Sequence, residues 1–109
     1  MDIVLLEGLG VPDAVIEGHA QKLAAMGHNL TVCQRNTDPA VQARQIGSAE
    51  AVILANMPLA AEAVAAAPNL RFIDVAFTGV DHIPLDVCRG RSIAVSNASG
   101  YATQAVAEL

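Results

Sequence analysis

Residues 51–68 form the stretch AVILANMPLAAEAVAAAP, which indicates the fold class. An apolar run of strand length, AVILA, is followed by the polar break Asn56-Met57 and then by Pro58, which suits the first turn of a helix. The alanine-rich segment that follows is typical of a helix and ends at Pro68. A strand without polar alternation is typical of one that is buried on both faces. The stretch therefore predicts one strand–helix unit of a parallel sheet.

The same alternation continues toward both ends of the chain. Further strands are predicted at residues 3–6, 30–33, 71–77 and 93–96. Further helices are predicted at residues 12–27, 38–47 and 84–89. Strands that alternate with helices are joined by right-handed crossovers into a parallel sheet. The sequence thus predicts an α/β domain with a flavodoxin-like five-stranded parallel sheet in the order 2-1-3-4-5. Helices should cover both faces, with a ligand crevice at the carboxyl ends of the strands.

Some local features of this pattern give sharper expectations. Asp38-Pro39 combines a capping residue with a first-turn proline, so a helix should begin there. Residues 93–95 are continuously apolar, which predicts a strand buried on both faces. The first helix is expected to bury one apolar face, made of Val15, Ile16, Ala20, Leu23 and Ala24.

The composition indicates one globular domain and excludes several kinds of partner. Of the 109 residues, 53% are hydrophobic and 16% are charged. The formal charge of −5 and the scattered basic residues argue against nucleic acid. The sequence contains neither a basic secretory signal nor a long apolar span, so we expect a cytoplasmic protein without membrane contact. Cys33 and Cys88 lack metal-ligand spacing; we expect buried free thiols and no metal site.

On this architecture the functional residues should lie in loops that follow strands. The candidate loops are residues 7–10, 56–57, 78–82 and 97–103. We expect Glu7, Asn56, Thr78 and Asn97 at one edge of the sheet. We expect no arginine in the loops that face the crevice.

Three common uses of the architecture do not match these loops. A dinucleotide-binding GxGxxG loop would begin at Gly8-Leu9-Gly10, but Asp13 occupies the third glycine position and would repel a pyrophosphate. A phospho-acceptor receiver domain would need an aspartate in place of Asn56 and a lysine in place of Asn97. A flavodoxin would need a hydroxyl-rich loop after the first strand, where this sequence has GLGVP.

Residues 69–109, NLRFIDVAFTGVDHIPLDVCRGRSIAVSNASGYATQAVAEL, contain a more specific pattern. A strand is followed by the turn Thr78-Gly79-Val80-Asp81, a short helix, another strand, Asn97 and the run TQAVAE at 103–108. The pattern resembles the late part of the substrate domain in the D-isomer-specific 2-hydroxy-acid dehydrogenases, the family of phosphoglycerate, glycerate and D-lactate dehydrogenases. Residues 1–68 match that family only in their βαβ layout.

The resemblance implies a two-domain enzyme that transfers a hydride between NAD or NADP and a small 2-hydroxy or 2-keto acid. Residues 1–102 would be the first segment of the substrate domain. Residues 103–109 would begin the crossover helix toward a cofactor domain that is absent from this chain. The family's catalytic Arg, Glu and His lie beyond that helix, so no catalytic residue is expected here. The isolated chain is expected to bind no cofactor and to be inactive, and the full-length protein to form a homodimer.

The resemblance also assigns site residues. In the family, backbone amides of the turn after the fourth strand hold the substrate carboxylate, which corresponds to Thr78, Gly79 and Val80. Tyr101 matches a tyrosine that contacts substrate in lactate-type members, and Thr103 matches a Ser or Thr near the nicotinamide. Each assignment has a structural alternative: a tight turn at the glycine, a packing aromatic and a helix cap.

Two positions depart from the family pattern. His82 stands where most members have asparagine, and Gln104 where glutamate is common. His82 either tunes substrate choice or, as we expect, is an exposed loop histidine.

One other class of function is open. The alternative to an enzyme is a stand-alone module that binds a small ligand or a partner in the same crevice without chemistry.

Overall fold

The computed structural model describes residues 1–8, 10, 12–76 and 79–97. Strands and helices alternate throughout this part of the chain. The strands are β1 (Asp2–Leu5), β2 (Asn29–Val32), β3 (Ala51–Leu54), β4 (Phe72–Val75) and β5 (Ala94–Asn97). The helices are α1 (Asp13–Ala25), α2 (Pro39–Ile46), α3 (Ala61–Ala66) and α4 (Leu85–Gly90).

The five strands form one parallel sheet in the order β2-β1-β3-β4-β5, which confirms the predicted topology. The connection from β1 to β2 moves toward one edge of the sheet. The connections from β2 to β3, from β3 to β4 and from β4 to β5 all move toward the other edge. Right-handed crossovers therefore place α1 on one face and the other three helices on the opposite face. The carboxyl ends of all five strands meet at one edge.

The main core lies between the sheet and α2, α3 and α4. Alternate residues of the three central strands point into it because successive side chains of a strand face opposite sides. The strand residues buried there are Val4, Val52, Leu54, Ile73 and Val75. The helices and loops contribute Ile46, Met57, Leu59, Ala63, Val64, Leu70, Ile83 and Cys88. This layer fixes the sheet edge from which the candidate loops extend.

Two sequence expectations about burial are wrong. Helix α1 has no fully buried residue: Ile16, Ala20 and Leu23 are half-buried, whereas Val15 and Ala24 are exposed. The reason is that α1 is the only described helix on its face of the sheet, so no neighbouring helix encloses it. Strand β5 is not buried on both faces either, since Ala94 is exposed and the strand lies at an edge of the sheet.

Helix α3 is shorter than the sequence predicts. Pro58 does not start it, because the chain stays extended as far as Ala60, whose ψ is 138°. The cause is Gln42, a fully buried side chain of α2. Its Nε2 donates to the Pro58 carbonyl at 2.9 Å, and its Oε1 accepts from the Ala60 N–H at 2.9 Å. A polar clamp from α2 thus determines where α3 begins.

Helix α2 begins as predicted. The Asp38 carboxylate accepts from the N–H groups of Ala40 at 2.8 Å and Val41 at 3.3 Å. Replacing Asp38 with alanine removes this cap and is expected to lower the free energy of unfolding by about 1 kcal/mol. Urea unfolding of the variant beside the wild type measures the change. Asp38→Asn retains an acceptor and should cost less; equal losses in the two variants would contradict a capping role.

The two cysteines are free, as predicted, although only Cys88 is fully buried and Cys33 is half-buried. Burial raises the pKa of both thiols above the ordinary value, which favours the unreactive protonated form. Within the described ranges no group of His, Cys, Asp and Glu is arranged to hold a metal ion. None of the described helices combines the length and apolar character needed to cross a membrane.

Candidate substrate-binding site

The carboxyl-terminal edge of the sheet brings together most of the residues that the sequence singled out. Glu7 follows β1, Asn56 follows β3, and Asn97 is the last residue of β5. They therefore share one edge, as expected. Thr78, the fourth residue expected at this edge, lies outside the described residues, as do Tyr101 and Thr103.

Gly79, Val80 and Asp81 are the described residues of the turn after β4. Val80 is half-buried and packs against the main core, and its carbonyl accepts from the Ile83 N–H at 3.0 Å. Among the described residues, no hydrogen bond uses the N–H of Gly79 or of Val80. Two neighbouring backbone donors at the crevice edge thus have no partner among the described residues, and neighbouring amides of this kind can attract anions.

The structure also shows whether the backbone conformation at residue 79 requires a glycine. Its φ is not positive, unlike those of Gly10, Gly27 and Gly47. A Cβ at Gly79 would meet no described atom within 4 Å. Neither the backbone geometry nor packing against the described residues therefore requires a glycine here. What the glycine leaves is open space beside the two N–H donors.

His82 is not the exposed loop histidine that we expected. It is half-buried, and its Nε2 lies 2.7 Å from the Ala55 carbonyl oxygen. A carbonyl oxygen only accepts, so Nε2 carries the proton in this contact. The His82 carbonyl in turn accepts from the Leu59 N–H at 2.9 Å. His82 therefore joins the loop after β4 to the loop after β3.

Among the described residues at this edge, Glu7 is the most buried ionisable group, with 4% of its surface exposed. One carboxylate oxygen, Oε2, accepts from the N–H groups of Ala55 at 2.9 Å and Met57 at 2.8 Å. The sequence identified Glu7 only as an acidic residue after β1. Its burial depends on how the loop after β3 folds over it, which no local pattern predicts.

Arg35 lies at the candidate site, and the sequence did not single it out. The loop after β2 also opens at the carboxyl edge, and the expectation that no crevice-side loop carries an arginine is wrong. The Arg35 Nε lies 3.8 Å from Glu7 Oε1, and its side chain is 55% exposed. Because the arginine is exposed to solvent and the two atoms are 3.8 Å apart, this pair contributes little to stability. The signal that would have found Arg35 was its position two residues after Cys33, at the end of a predicted strand.

Two clefts of similar size lie at opposite ends of the sheet. One of about 550 Å³ lies at the amino-terminal edge and is lined by charged side chains of both signs, including Glu50, Arg71 and Arg91. The other, about 480 Å³, lies beside the turn after β4 and includes Val80 and Asp81. Ligands of open parallel sheets bind outside the carboxyl ends of the strands, so the second cleft is the better candidate despite its smaller volume.

Comparison with known proteins decides the family. The model of the D-isomer specific 2-hydroxyacid dehydrogenase catalytic domain matches residues 6–109. The chain belongs to this family. The match extends the resemblance seen at residues 69–109 to nearly the whole chain. No curated protein matches the chain.

Solved structures of similar proteins share the fold. NAD⁺-bound 3-phosphoglycerate dehydrogenase from Entamoeba histolytica has a TM-score of 0.79 and 22% identity, over 90% of this chain and 32% of that one. NAD-dependent formate dehydrogenase from Staphylococcus aureus has a TM-score of 0.70 and 22% identity, over 90% and 32%. D-lactate dehydrogenase from Escherichia coli has a TM-score of 0.67 and 13% identity, over 89% and 30%. The chain thus spans about a third of the length of these solved structures.

Proposed function

We propose that this chain is the substrate domain of an NAD(P)-dependent D-2-hydroxy-acid dehydrogenase whose cofactor domain follows it in the full-length protein. Residues 1–102 then form the first segment of the substrate domain, and residues 103–109 begin the crossover helix. Membership of the family supports this proposal, as does the fraction of the solved relatives that the chain spans. The full-length enzyme would be a homodimer.

The observation that carries the proposal is the pair of N–H groups at Gly79 and Val80, to which no described residue bonds. A 2-keto acid presents a carboxylate, and two neighbouring backbone donors beside open space suit it. A carboxylate bound there orients the substrate, so that its keto carbon faces out of the crevice. That orientation is the contribution of this domain to catalysis, because hydride transfer requires a defined approach to the keto carbon.

The remaining requirements would be met outside this chain. A nicotinamide cofactor supplies the hydride when bound. The first loop of this domain suits a dinucleotide poorly, because Asp13 lies in the first turn of α1, where it would oppose a pyrophosphate. A proton donor beside the carbonyl is also needed. We therefore assign cofactor binding and proton transfer to the following domain, with Tyr101 and Thr103 contacting substrate and nicotinamide at its boundary.

The 109-residue chain alone is expected neither to bind NADH or NADPH with micromolar affinity nor to reduce 2-keto acids. The full-length protein should do both, because only it combines the two domains. Calorimetry with each cofactor, on the short chain and on the full-length protein, measures the difference. Circular dichroism on the short chain serves as the control for folding. Micromolar NADH binding by the folded 109-residue chain would contradict the assignment of cofactor binding to the following domain. A full-length protein that binds neither cofactor would instead favour a stand-alone ligand-binding module.

A further inference from the structure

We propose that Glu7 is a positioning residue of the substrate site, an inference that rests on the proposed function. Its carboxylate holds the turn after β3 and, through that turn, the loop after β4 that carries Gly79 and Val80. Glu7 itself need not touch the substrate. Its effect on the reaction would pass through the two loops that it fixes.

Glu7 first holds the turn after β3 in place through hydrogen bonds. The strand ends at Leu54, and residues 55–57 leave the sheet, so their N–H groups have no neighbouring strand to pair with. Glu7 Oε2 accepts from both Ala55 and Met57, the residues on either side of the exposed Asn56. A single buried oxygen thus fixes both flanks of the turn.

The second step connects this turn to the loop after β4. The carbonyl of Ala55, whose N–H is held by Glu7, lies 2.7 Å from the His82 Nε2. His82 comes shortly after Gly79-Val80 and is also held through its carbonyl by Leu59. A continuous polar chain therefore runs from the end of β1, across the end of β3, to His82, which lies two residues after Val80 in the loop proposed to bind the substrate carboxylate.

The geometry separates the reach of the Glu7 side chain from its charge. Both of these hydrogen bonds go to Oε2, which a glutamine oxygen can replace as an acceptor. The charge strengthens these two hydrogen bonds and also pairs Oε1 with the exposed Arg35 at 3.8 Å, whereas the length of the side chain decides whether Oε2 reaches the two N–H groups at all. A positioning role thus depends on the length of the side chain. A role in proton transfer or in the electrostatics of the site depends on its charge.

Two variants of the full-length enzyme test this distinction. Glu7→Gln keeps the reach and loses the charge, so the KM for a 2-keto acid should stay within about threefold of wild type. Glu7→Asp keeps the charge and withdraws the oxygen by one methylene group. Its KM for the 2-keto acid should rise by about tenfold or more, with kcat less affected and the KM for NADH unchanged. The reverse order, with the glutamine variant impaired and the aspartate variant normal, would overturn the proposal.

Amide hydrogen exchange of the same full-length proteins gives a readout that does not depend on turnover. Exchange at Ala55 and Met57 should accelerate about tenfold or more in Glu7→Asp and little in Glu7→Gln. Leu70→Ala is the control for a general loss of stability. It destabilises the core at the opposite edge of the sheet and should leave the KM for the 2-keto acid unchanged.

The outcomes separate the inference from the function on which it rests. An active enzyme whose KM is the same in wild type and Glu7→Asp would overturn the positioning role alone. Unchanged exchange at Ala55 and Met57 would overturn it even if the kinetics changed. A wild-type protein that reduces no 2-keto acid would overturn the proposed function and, with it, the substrate claim made for Glu7.

Discussion

Replacing Gly79 with valine in the full-length enzyme is expected to lower kcat/KM for a 2-keto acid by one to three orders of magnitude. In the proposed function the substrate carboxylate approaches the Gly79 and Val80 N–H groups within hydrogen-bond distance, and a branched side chain beside them would obstruct that approach. Losing one or two charge-assisted hydrogen bonds, each worth about 1.5–3 kcal/mol, gives a decrease of this size. Affinity for NADH should barely change, because the cofactor is assigned to the other domain.

The structure indicates that the Gly79→Val protein will fold. The position does not have a positive φ, and a Cβ there meets no described atom within 4 Å. Gly90→Val is the matched control, since Gly90 ends α4 and also has no described atom within that distance. The control should keep kcat/KM within about twofold of wild type. Steady-state kinetics and a melting curve on both variants measure the effect. Near-normal kcat/KM in Gly79→Val would mean that the carboxylate is held elsewhere.

Replacing Gln42 with alanine should cause a larger loss of stability than replacing Asp38 or Gln45. Its side chain serves three backbone groups: Nε2 donates to the Asn36 and Pro58 carbonyls, and Oε1 accepts from the Ala60 N–H. An unsatisfied buried group costs about 1–3 kcal/mol, and water can reach part of this set. We therefore expect the free energy of unfolding of the 109-residue chain to fall by about 2–4 kcal/mol.

A neighbouring glutamine of the same helix provides the control. Gln45 makes one side-chain hydrogen bond, to the Gln34 carbonyl at 3.0 Å near the surface, so Gln45→Ala should cost about 1 kcal/mol or less. Gln42→Met separates lost volume from lost hydrogen bonds, since methionine nearly fills the space but satisfies none of the three groups. Urea unfolding measures all three variants. If Gln42→Met proved as stable as wild type, the hydrogen bonds of Gln42 would not be what stabilises this region.

The parts of the fold that could be predicted are those determined by local pattern and chain connectivity. The alternation of apolar runs with helical segments predicts the five strands, and crossover handedness predicts their order. Asp38 could be predicted as a helix cap because capping depends on neighbouring residues alone. The start of α3 could not be predicted, because Gln42 reaches it from another helix.

The candidate site divides in the same way. Its place at the carboxyl edge follows from the topology, so Glu7, Asn56 and Asn97 could be grouped from sequence. The burial of Glu7 and the bridging position of His82 could not be predicted. Both depend on how loops from β1, β3 and β4 pack together across large separations in sequence. Arg35 was missed for a simpler reason: the loop after β2 was left out of the set that faces the crevice.

The central claim is tested most directly by the reaction of the full-length protein with 2-keto acids. The purified protein is mixed with NADH or NADPH and a panel of 2-keto acids that differ in side chain. Cofactor oxidation is followed by absorbance, and the product is resolved by chiral chromatography. We predict oxidation of one cofactor with at least one 2-keto acid, and a product of the D configuration. Cofactor binding without oxidation by any 2-keto acid, or a product of the L configuration, would contradict the claim.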